Sequence, residues 1–235
     1  LGRVLRQLNL TSFTEYLDLV ERDRSGQCAV TLINRLTTNH TFFMREPDHF
    51  DYFRDRVLPE ILPRLKDRDL RVWSAGCSTG EEPYTLAMLI DEHLGSAKIG
   101  WDTTLLATDI SERVLLHAIR GVYPAESVEP LPKRWRLTYF VPHGDGRYAV
   151  ADRIRREVVF RRFNLMDPFP FRKGFHVIFC RNVMIYFDEH TRRRLIRKFY
   201  ESLAPGGYLI IGHSETINRF ESPFTYVKPS IYRKA

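Results

Sequence analysis

The sequence predicts a doubly wound, Rossmann-like α/β fold carrying a small antiparallel β insertion. Three observations predict it. Short apolar runs of strand length stand at 70–75, 104–109, 176–181 and 208–212. Stretches with helical periodicity at 81–94, 111–120 and 188–203 alternate with them, and strands alternating with helices imply a parallel sheet covered on both faces. Between 122 and 160 the rhythm breaks into a stretch rich in turn residues (Pro124, Pro130, Pro132, Pro142, Gly144, Gly146), the composition of a small antiparallel insertion.

Residues 1–36 read as helical, since Leu5, Leu8, Phe13, Tyr16, Leu17 and Val20 recur at roughly helical spacing. Thr11 or Ser12 is the N-cap, with Glu15 three or four positions on. The stretch is too short to bury a core of its own, so it packs on the downstream chain or is the truncated end of a larger helical region. The run Thr37–Glu46 reads, on spacing alone, as a capped helix start with Phe42 and Phe43 in the core. Leu70–Ala75 is the first strand and runs into Gly76-Cys77-Ser78-Thr79-Gly80. Pro83 then sits near a helix start, where its missing N–H would be unpaired anyway. Thr104–Asp109 is the second strand; Ser111 caps the helix after it and Gly121 stops that helix. Within the insertion Leu137–Val141, Arg147–Val150 and Val158–Phe163 read as short β runs. His176–Arg181 is a buried strand and Asp188 opens a helix. Pro205-Gly206-Gly207 turns into strand Tyr208–Gly212, and Phe224–Arg233 holds two more short strand-like runs.

Hydrophobic residues make up 43% and charged residues 28% of the 235-residue chain, as in ordinary globular proteins. No apolar run approaches the ~20 residues of a membrane helix, and Leu1–Arg6 lacks the apolar core of a signal peptide, so no membrane insertion is expected. The chain begins without Met and is read as a fragment. Cys28, Cys77 and Cys180 are odd in number and show no CxxC spacing, which argues against a disulfide framework or a zinc site and fits a reducing cytoplasm; no metal is expected. The net charge of +7 favours an acidic partner without choosing its class. Arg192-Arg193-Arg194 with Arg197-Lys198 read as a solvated helix face rather than a nucleic-acid groove, because no aromatic side chains interleave.

In a doubly wound sheet, ligands bind at the carboxyl ends of the strands near the switch in strand order. That rule places Gly76–Glu82, Asp109, Arg181 and Gly212 along one edge. The Gly76-to-Gly80 turn is neither GxGxxG nor a P-loop, since no Lys follows Gly80. Glu81 and Glu82 would repel a phosphate but not an ammonium or sulfonium group, so the loop points to S-adenosylmethionine. The alternative is a pair of glycines that only serve a tight turn. Asp109 ends the second strand, where dinucleotide folds place an acid against ribose hydroxyls; a helix-capping Asp is the alternative. Arg181, followed by Asn182 and within a turn by Tyr186, ends a buried strand and requires a ligand or an ion pair, with Glu81 or Asp188 as candidate partners.

Five segments together resemble the CheR family of chemotaxis receptor methyltransferases: Leu36–Arg45 (LTTNHTFFMR), Val72–Tyr84 (VWSAGCSTGEEPY), Ala107–Ile110 (ATDI), Phe179–Phe187 (FCRNVMIYF) and Gly212–Glu215 (GHSE). They occur in that order over residues 36–215. The resemblance implies a seven-stranded S-adenosylmethionine-dependent methyltransferase domain (37–235) with a β-subdomain inserted at about 122–160, preceded by the truncated remnant of a helical N-terminal domain and its linker (1–36). It implies transfer of a methyl group from S-adenosylmethionine to glutamate side chains of chemotaxis receptors, with S-adenosylhomocysteine as product and the cytoplasmic helical bundle of the receptors as partner. By the same resemblance Asn39, Thr41 and Arg45 contact the cofactor, with Arg45 near the reacting methyl. Gly76 belongs to the cofactor loop, and Glu82 and Asp109 take polar groups of the cofactor. Asn164 and Leu165 border the adenine, Arg181 and Asn182 complete the wall, and Tyr186 faces the transfer point. The insertion is expected to dock receptors. Some members grip a pentapeptide at the receptor's C-terminus through a longer glycine-bearing loop; Val141–Arg156 is a few residues short of that, so independence of the pentapeptide is expected.

A glutamate γ-carboxylate has an ordinary pKa of about 4.3, so it is ionised at neutral pH and needs no general base. Arg45 is expected to orient it and Tyr186 to hydrogen-bond near it. The insertion's Arg153, Arg155, Arg156, Arg161 and Arg162 either meet an acidic receptor bundle or form solvated strand faces. A nucleic-acid methyltransferase is disfavoured, because Asn182–Tyr186 lacks the prolines of an Asn/Asp-Pro-Pro-Tyr motif. A non-enzymatic cofactor-binding module is disfavoured by the intact set Asn39, Arg45, Glu82, Asp109 and Tyr186.

Overall fold

The computed structural model describes residues 5–6, 10–36, 40–217 and 222–235. The N-terminal stretch includes the helices α1 (Phe13–Arg22) and α2 (Gln27–Leu36). Ser12 caps α1 by accepting the Glu15 N–H at 3.2 Å, and the Glu15 carboxylate returns to the Thr11 N–H at 2.8 Å, a reciprocal capping arrangement. Of the expected helix start, residues 37–39 lie outside the described residues, 40–42 have no regular structure and 43–46 form turns and bends. The helix begins only at Pro47, as α3 (Pro47–Tyr52), and runs on through a π turn (Phe53–Val57) and an α turn (Leu58–Ile61). Phe43 packs edge-on against Tyr123 and Phe140, whereas Phe42 is 47% exposed and outside the core.

Alternation then sets in with β1 (Val72–Ala75), α4 (Glu81–Leu94), β2 (Leu105–Asp109) and α5 (Glu112–Arg120). Gly121 ends α5 at φ 61°, a left-handed stop that glycine adopts freely. Next come β3 (Val122–Pro124), α6 (Lys133–Tyr139), β4 (Phe140–Pro142) and β5 (Arg147–Val150). The three strands form a separate antiparallel sheet in the order β3-β5-β4. The chain continues through β6 (Val158–Arg162), β7 (Phe175–Cys180), α7 (Glu189–Ser202), β8 (Leu203–Ile211), β9 (Thr225–Lys228) and β10 (Ile231–Arg233). Asp188 caps α7 by accepting the Thr191 N–H at 2.8 Å.

Two readings of the insertion change. Val158–Phe163 does not join the antiparallel sheet: β6 pairs in parallel with β2, from Leu105 opposite Val158 to Asp109 opposite Arg162. Leu137–Val141 is not a β run throughout, because Lys133–Tyr139 is helical. The alternation Trp135-Arg136-Leu137-Thr138-Tyr139 imitates a strand. As a helix it buries Trp135 and Tyr139, four apart, and leaves Leu137 75% exposed.

The main sheet has seven strands in the order β6-β2-β1-β7-β8-β10-β9. The first five are mutually parallel, and β10 runs antiparallel to both β8 and β9. Strand order reverses between β1 and β7, which is where such sheets bind ligands. Period-two alternation sends Val177 and Phe179 into the apolar cluster shared with α3 and α4, and Ile178 and Cys180 into the cluster shared with α7. β8 spans Pro205-Gly206-Gly207 as an irregular segment, where its register against β7 shifts between Phe175 and Val177 and Gly206 is left-handed at φ 74°, rather than as a turn before the strand.

Trp73 in β1 is fully buried and ringed by Phe169, Phe171 and Phe199, with ring centroids 5.2, 4.9 and 5.5 Å away. Its indole N–H donates to Thr108 Oγ1 at 2.9 Å, tying β1 to β2 just below the Gly76 loop. Trp73→Ala is expected to destabilise the fold by about 3–5 kcal/mol, because a cavity replaces the indole. Urea unfolding monitored by circular dichroism reads that loss.

Candidate active site

A cavity of about 440 Å³ opens at the carboxyl ends of β1, β2 and β7. Of the site residues implied by the sequence, the structure brings Thr41, Arg45, Gly76, Glu82, Asp109, Asn164, Leu165, Arg181, Asn182 and Tyr186 to its walls. Asn39 lies outside the described residues. Apolar side chains, among them Ile110, Phe163, Met166, Val183 and Phe187, fill the wall between these polar groups.

The loop after β1 is shaped by close approach. A Cβ on Gly76 would collide with a Val183 methyl, and Gly76 sits at φ 89°. Ser78 is left-handed at φ 49°, and its N–H donates to Asp109 Oδ2 at 2.9 Å. Asp109 Oδ1 accepts the Ser111 N–H at 2.9 Å. Asp109 therefore both faces the cavity and staples the turns on either side of it; the N-cap of α5 is Ser111, so Asp109 does not cap that helix. Burial raises its carboxyl above the usual range against the pull of those N–H groups.

Arg181 directly follows β7 and takes neither expected ion-pair partner. Glu81 is buried and accepts the Thr79 hydroxyl at 2.7 Å, and Asp188 is spent on the α7 cap. Instead Arg181 donates to Glu82 at 3.0 Å and to Glu46 at 3.0 Å, and also to the Arg45 carbonyl. Glu82 accepts the Ser74 hydroxyl at 2.7 Å on its other oxygen. Burial would raise the Glu46 carboxyl, but the Arg181 charge and hydrogen bond, with that of Asn182, bring it below its ordinary value. The Arg45 guanidinium behaves differently. It donates to the His40 carbonyl at 2.7 Å, and among the described residues no carboxylate pairs with it. Tyr186 stands at the rim, 62% exposed.

Four functional groups escaped the sequence reading. Glu46, at φ 56°, accepts from Arg181, from Asn182 Nδ2 at 3.3 Å and from the His213 N–H at 3.3 Å. Its only signal was a carboxylate between Arg45 and Pro47. His49 is fully buried beside it at 3.3 Å, and burial with the Arg181 charge lowers its pKa to about 4. Ser74 was visible only as a polar residue in a buried strand. Glu215 ends the GHSE segment, and its carboxylate accepts the backbone N–H groups of Gly212 (2.6 Å), Asn182 (3.0 Å), Val183 (2.9 Å) and Met184 (2.7 Å). It holds the wall that carries Asn182 and Tyr186. Glu46, His49 and His213 also bring three possible ligand atoms within 4.8 Å, and there the Arg181 guanidinium already supplies the positive charge.

These groups fit S-adenosylmethionine. Glu82 and Asp109 make the floor acidic, which suits a cationic donor with hydroxyl groups and disfavours phosphates; apolar side chains suit an adenine ring; and the glycine loop admits close backbone approach. Arg181→Gln leaves Glu46 and Glu82 as uncompensated carboxylates. It should cost about 3–5 kcal/mol of stability in urea unfolding at neutral pH and weaken cofactor binding by calorimetry. Because Glu46 is depressed when folded, the contribution is complete above its ordinary value of 4.5 and lost only as pH falls through the lower folded value. The gap between variant and parent should therefore narrow in acid.

Residues 39–233 match the family profile described as "CheR methyltransferase, SAM binding domain". A chemotaxis protein methyltransferase of Borreliella burgdorferi is 41% identical over 238 residues, covering 100% of this chain and 84% of the relative. The chemotaxis protein methyltransferase of Escherichia coli K12 is 38% identical over 237 residues, covering 99% of this chain and 80% of the relative. Cher2 of Pseudomonas putida is 34% identical over 235 residues, covering 98% and 85%. With likeness at this level along nearly its whole length, and a cavity suited to the donor at the switch point of its sheet, the chain belongs to the CheR family of S-adenosylmethionine-dependent chemotaxis methyltransferases.

Proposed function

We propose that the chain forms methyl esters on glutamate side chains of chemotaxis receptors, independently of a receptor C-terminal pentapeptide. The observation that carries the reading is Arg45. It lines the cavity as a guanidinium with no carboxylate partner among the described residues, and the exposed Tyr186 lines the same cavity. A cation in the wall of a site without a counter-ion is a receptor for an anion, and a protein carboxylate matches its planar fork.

When bound, S-adenosylmethionine supplies a methyl carbon activated by a sulfonium leaving group. The chain's residues do the rest. Asp109 takes the ribose hydroxyls, as the acid at the end of the second strand does in such folds. Asn164 and Leu165 border the adenine, and Thr41 contacts the cofactor from the segment that carries Arg45. Glu82, held in place by the Ser74 hydroxyl and Arg181, takes a polar group of the cofactor. The acceptor carboxylate is ionised at neutral pH, so no residue has to remove a proton. The work is placement: Arg45 fixes one carboxylate oxygen, and Tyr186 donates from the rim. Placement of this kind accounts for as much as about 7–11 kcal/mol of barrier lowering.

Independence of the pentapeptide is supported by the hairpin between β4 and β5. It closes at once, with the His143 N–H donating to the Arg147 carbonyl at 2.9 Å and the Arg147 N–H to the Gly144 carbonyl at 2.9 Å. That leaves no long glycine-bearing loop to wrap a peptide strand.

Arg45→Ala should lower base-labile methyl incorporation into a receptor cytoplasmic fragment by about 100-fold, the size of losing one preorganised charge at a reacting group. Full activity in that variant removes the assignment. Deleting the terminal pentapeptide from a receptor that ends in one should leave its methylation rate nearly unchanged. A tethered enzyme would lose on the order of 100-fold through effective concentration.

A further inference from the structure

A second groove, of about 480 Å³, runs between α7 and the chain beyond β8. Arg192, Arg193 and Arg197 line the helical side and Thr216 and Ser222 the other, while Ile196 and Ile217, both buried, give it an apolar floor. Positions 192, 193, 196 and 197 fall on one helix face. Arg193 is paired with Glu189. Among the described residues Arg192 and Arg197 have no ion-pair partner. The insertion's arginines are different: Arg153 is held by Asp91 at 2.6 Å and Arg155 by Asp152 at 3.2 Å.

The groove adjoins the mouth of the cavity. Glu189 at its edge lies three residues after Tyr186, no more than ~11 Å of extended chain. Thr216 on its other side directly follows Glu215, whose carboxylate fixes residues 182–184. The same two segments build the rim of the cavity and the walls of the groove.

We propose that this groove seats an acidic amphipathic helix of the protein substrate, glutamates against Arg192 and Arg197 and an apolar side chain on the Ile196–Ile217 floor. A helix laid there passes the cavity mouth within a few turns, so the groove selects which carboxylate reaches Tyr186. Helix-in-groove recognition uses this combination of apolar anchors and a charged wall. The inference rests on the reading of a protein carboxylate as acceptor.

The test is fluorescence anisotropy with a labelled amphipathic helical peptide bearing glutamates along one face, titrated with the full chain. The peptide should bind, more weakly as salt is raised, and R192E/R197E should weaken it about tenfold with cofactor binding by calorimetry unchanged. Should that double reversal lose cofactor binding, R192A/R197A replaces it, with the same direction expected. Equal peptide binding by variant and parent, or no binding by the parent, overturns the groove. Methylation of a receptor cytoplasmic fragment is measured in parallel. Absence of methyl transfer by the parent defeats the receptor reading, whereas transfer that persists with unchanged KM in R192E/R197E defeats the groove alone.

Discussion

The Arg181 guanidinium joins three parts of the chain that are distant in sequence: the end of β7, the first turn of α4 through Glu82, and the turn before α3 through Glu46 and the Arg45 carbonyl. Its side chain is 3% exposed. A planar fork with five N–H donors can serve three acceptors in different directions at once, and a lysine ammonium has no such geometry. The face of the guanidinium rests on Phe50, 5.0 Å from the ring centroid, and Phe50 stacks on Phe179 two residues back in β7. The ion-pair network is thus continuous with the core. Removing it would leave two carboxylates with little water and no counter-charge, which is why a buried pair is far costlier to break than it is profitable to form.

The same network holds backbone that would otherwise relax. Met44, Glu46, Ser78 and Asn182 all sit in the left-handed region, at φ 59°, 56°, 49° and 58°, each at a cost of order 1–3 kcal/mol. They cluster around one cavity, and three of them are pinned by charged partners. Arg181 holds the Glu46 carboxylate, Asp109 accepts the Ser78 N–H, and Glu215 accepts the Asn182 N–H. Gly212 must be glycine for a related reason, since a Cβ there would lie 2.7 Å from Asn182 Nδ2. Strain is concentrated where side chains must converge, and carboxylates whose sequence signal suggested ligand binding are also structural.

That double use explains what the sequence could and could not disclose. Periodicity and caps place α4, α5, α7 and the strands of the parallel sheet to within a few residues, because Ser12, Gly121 and Asp188 act locally. Membership of a sheet is not local. Val158–Phe163 looks like a strand in either sheet, and only its pairing with β2 decides. Ion-pair partners are not local either. Glu81 and Glu82 are neighbours in sequence but point about 100° apart on a helix, so only Glu82 turns to Arg181. Motif likeness identified the lining residues of the cavity, while Glu46, His49, Ser74 and Glu215 act on those residues from behind and leave no pattern of spacing to read.

The charge layout around the cavity bears on the proposed carboxylate acceptor. An anion approaching a site that contains Glu46, Glu82 and Asp109 ought to be repelled. The structure separates those charges from the mouth. Glu46 and Glu82 share Arg181, and Asp109 spends its oxygens on backbone N–H groups. What remains in the cavity wall without a carboxylate partner among the described residues is Arg45, and the exposed Tyr186 lines the same cavity. The acidic side chains of the cavity suit a cationic donor, and under the proposed function Arg45 supplies the counter-charge for the anionic acceptor. With local potentials of several kT available from such arrangements, the proposed reaction draws its orientation from the positions of a few charges, without a proton-transfer residue.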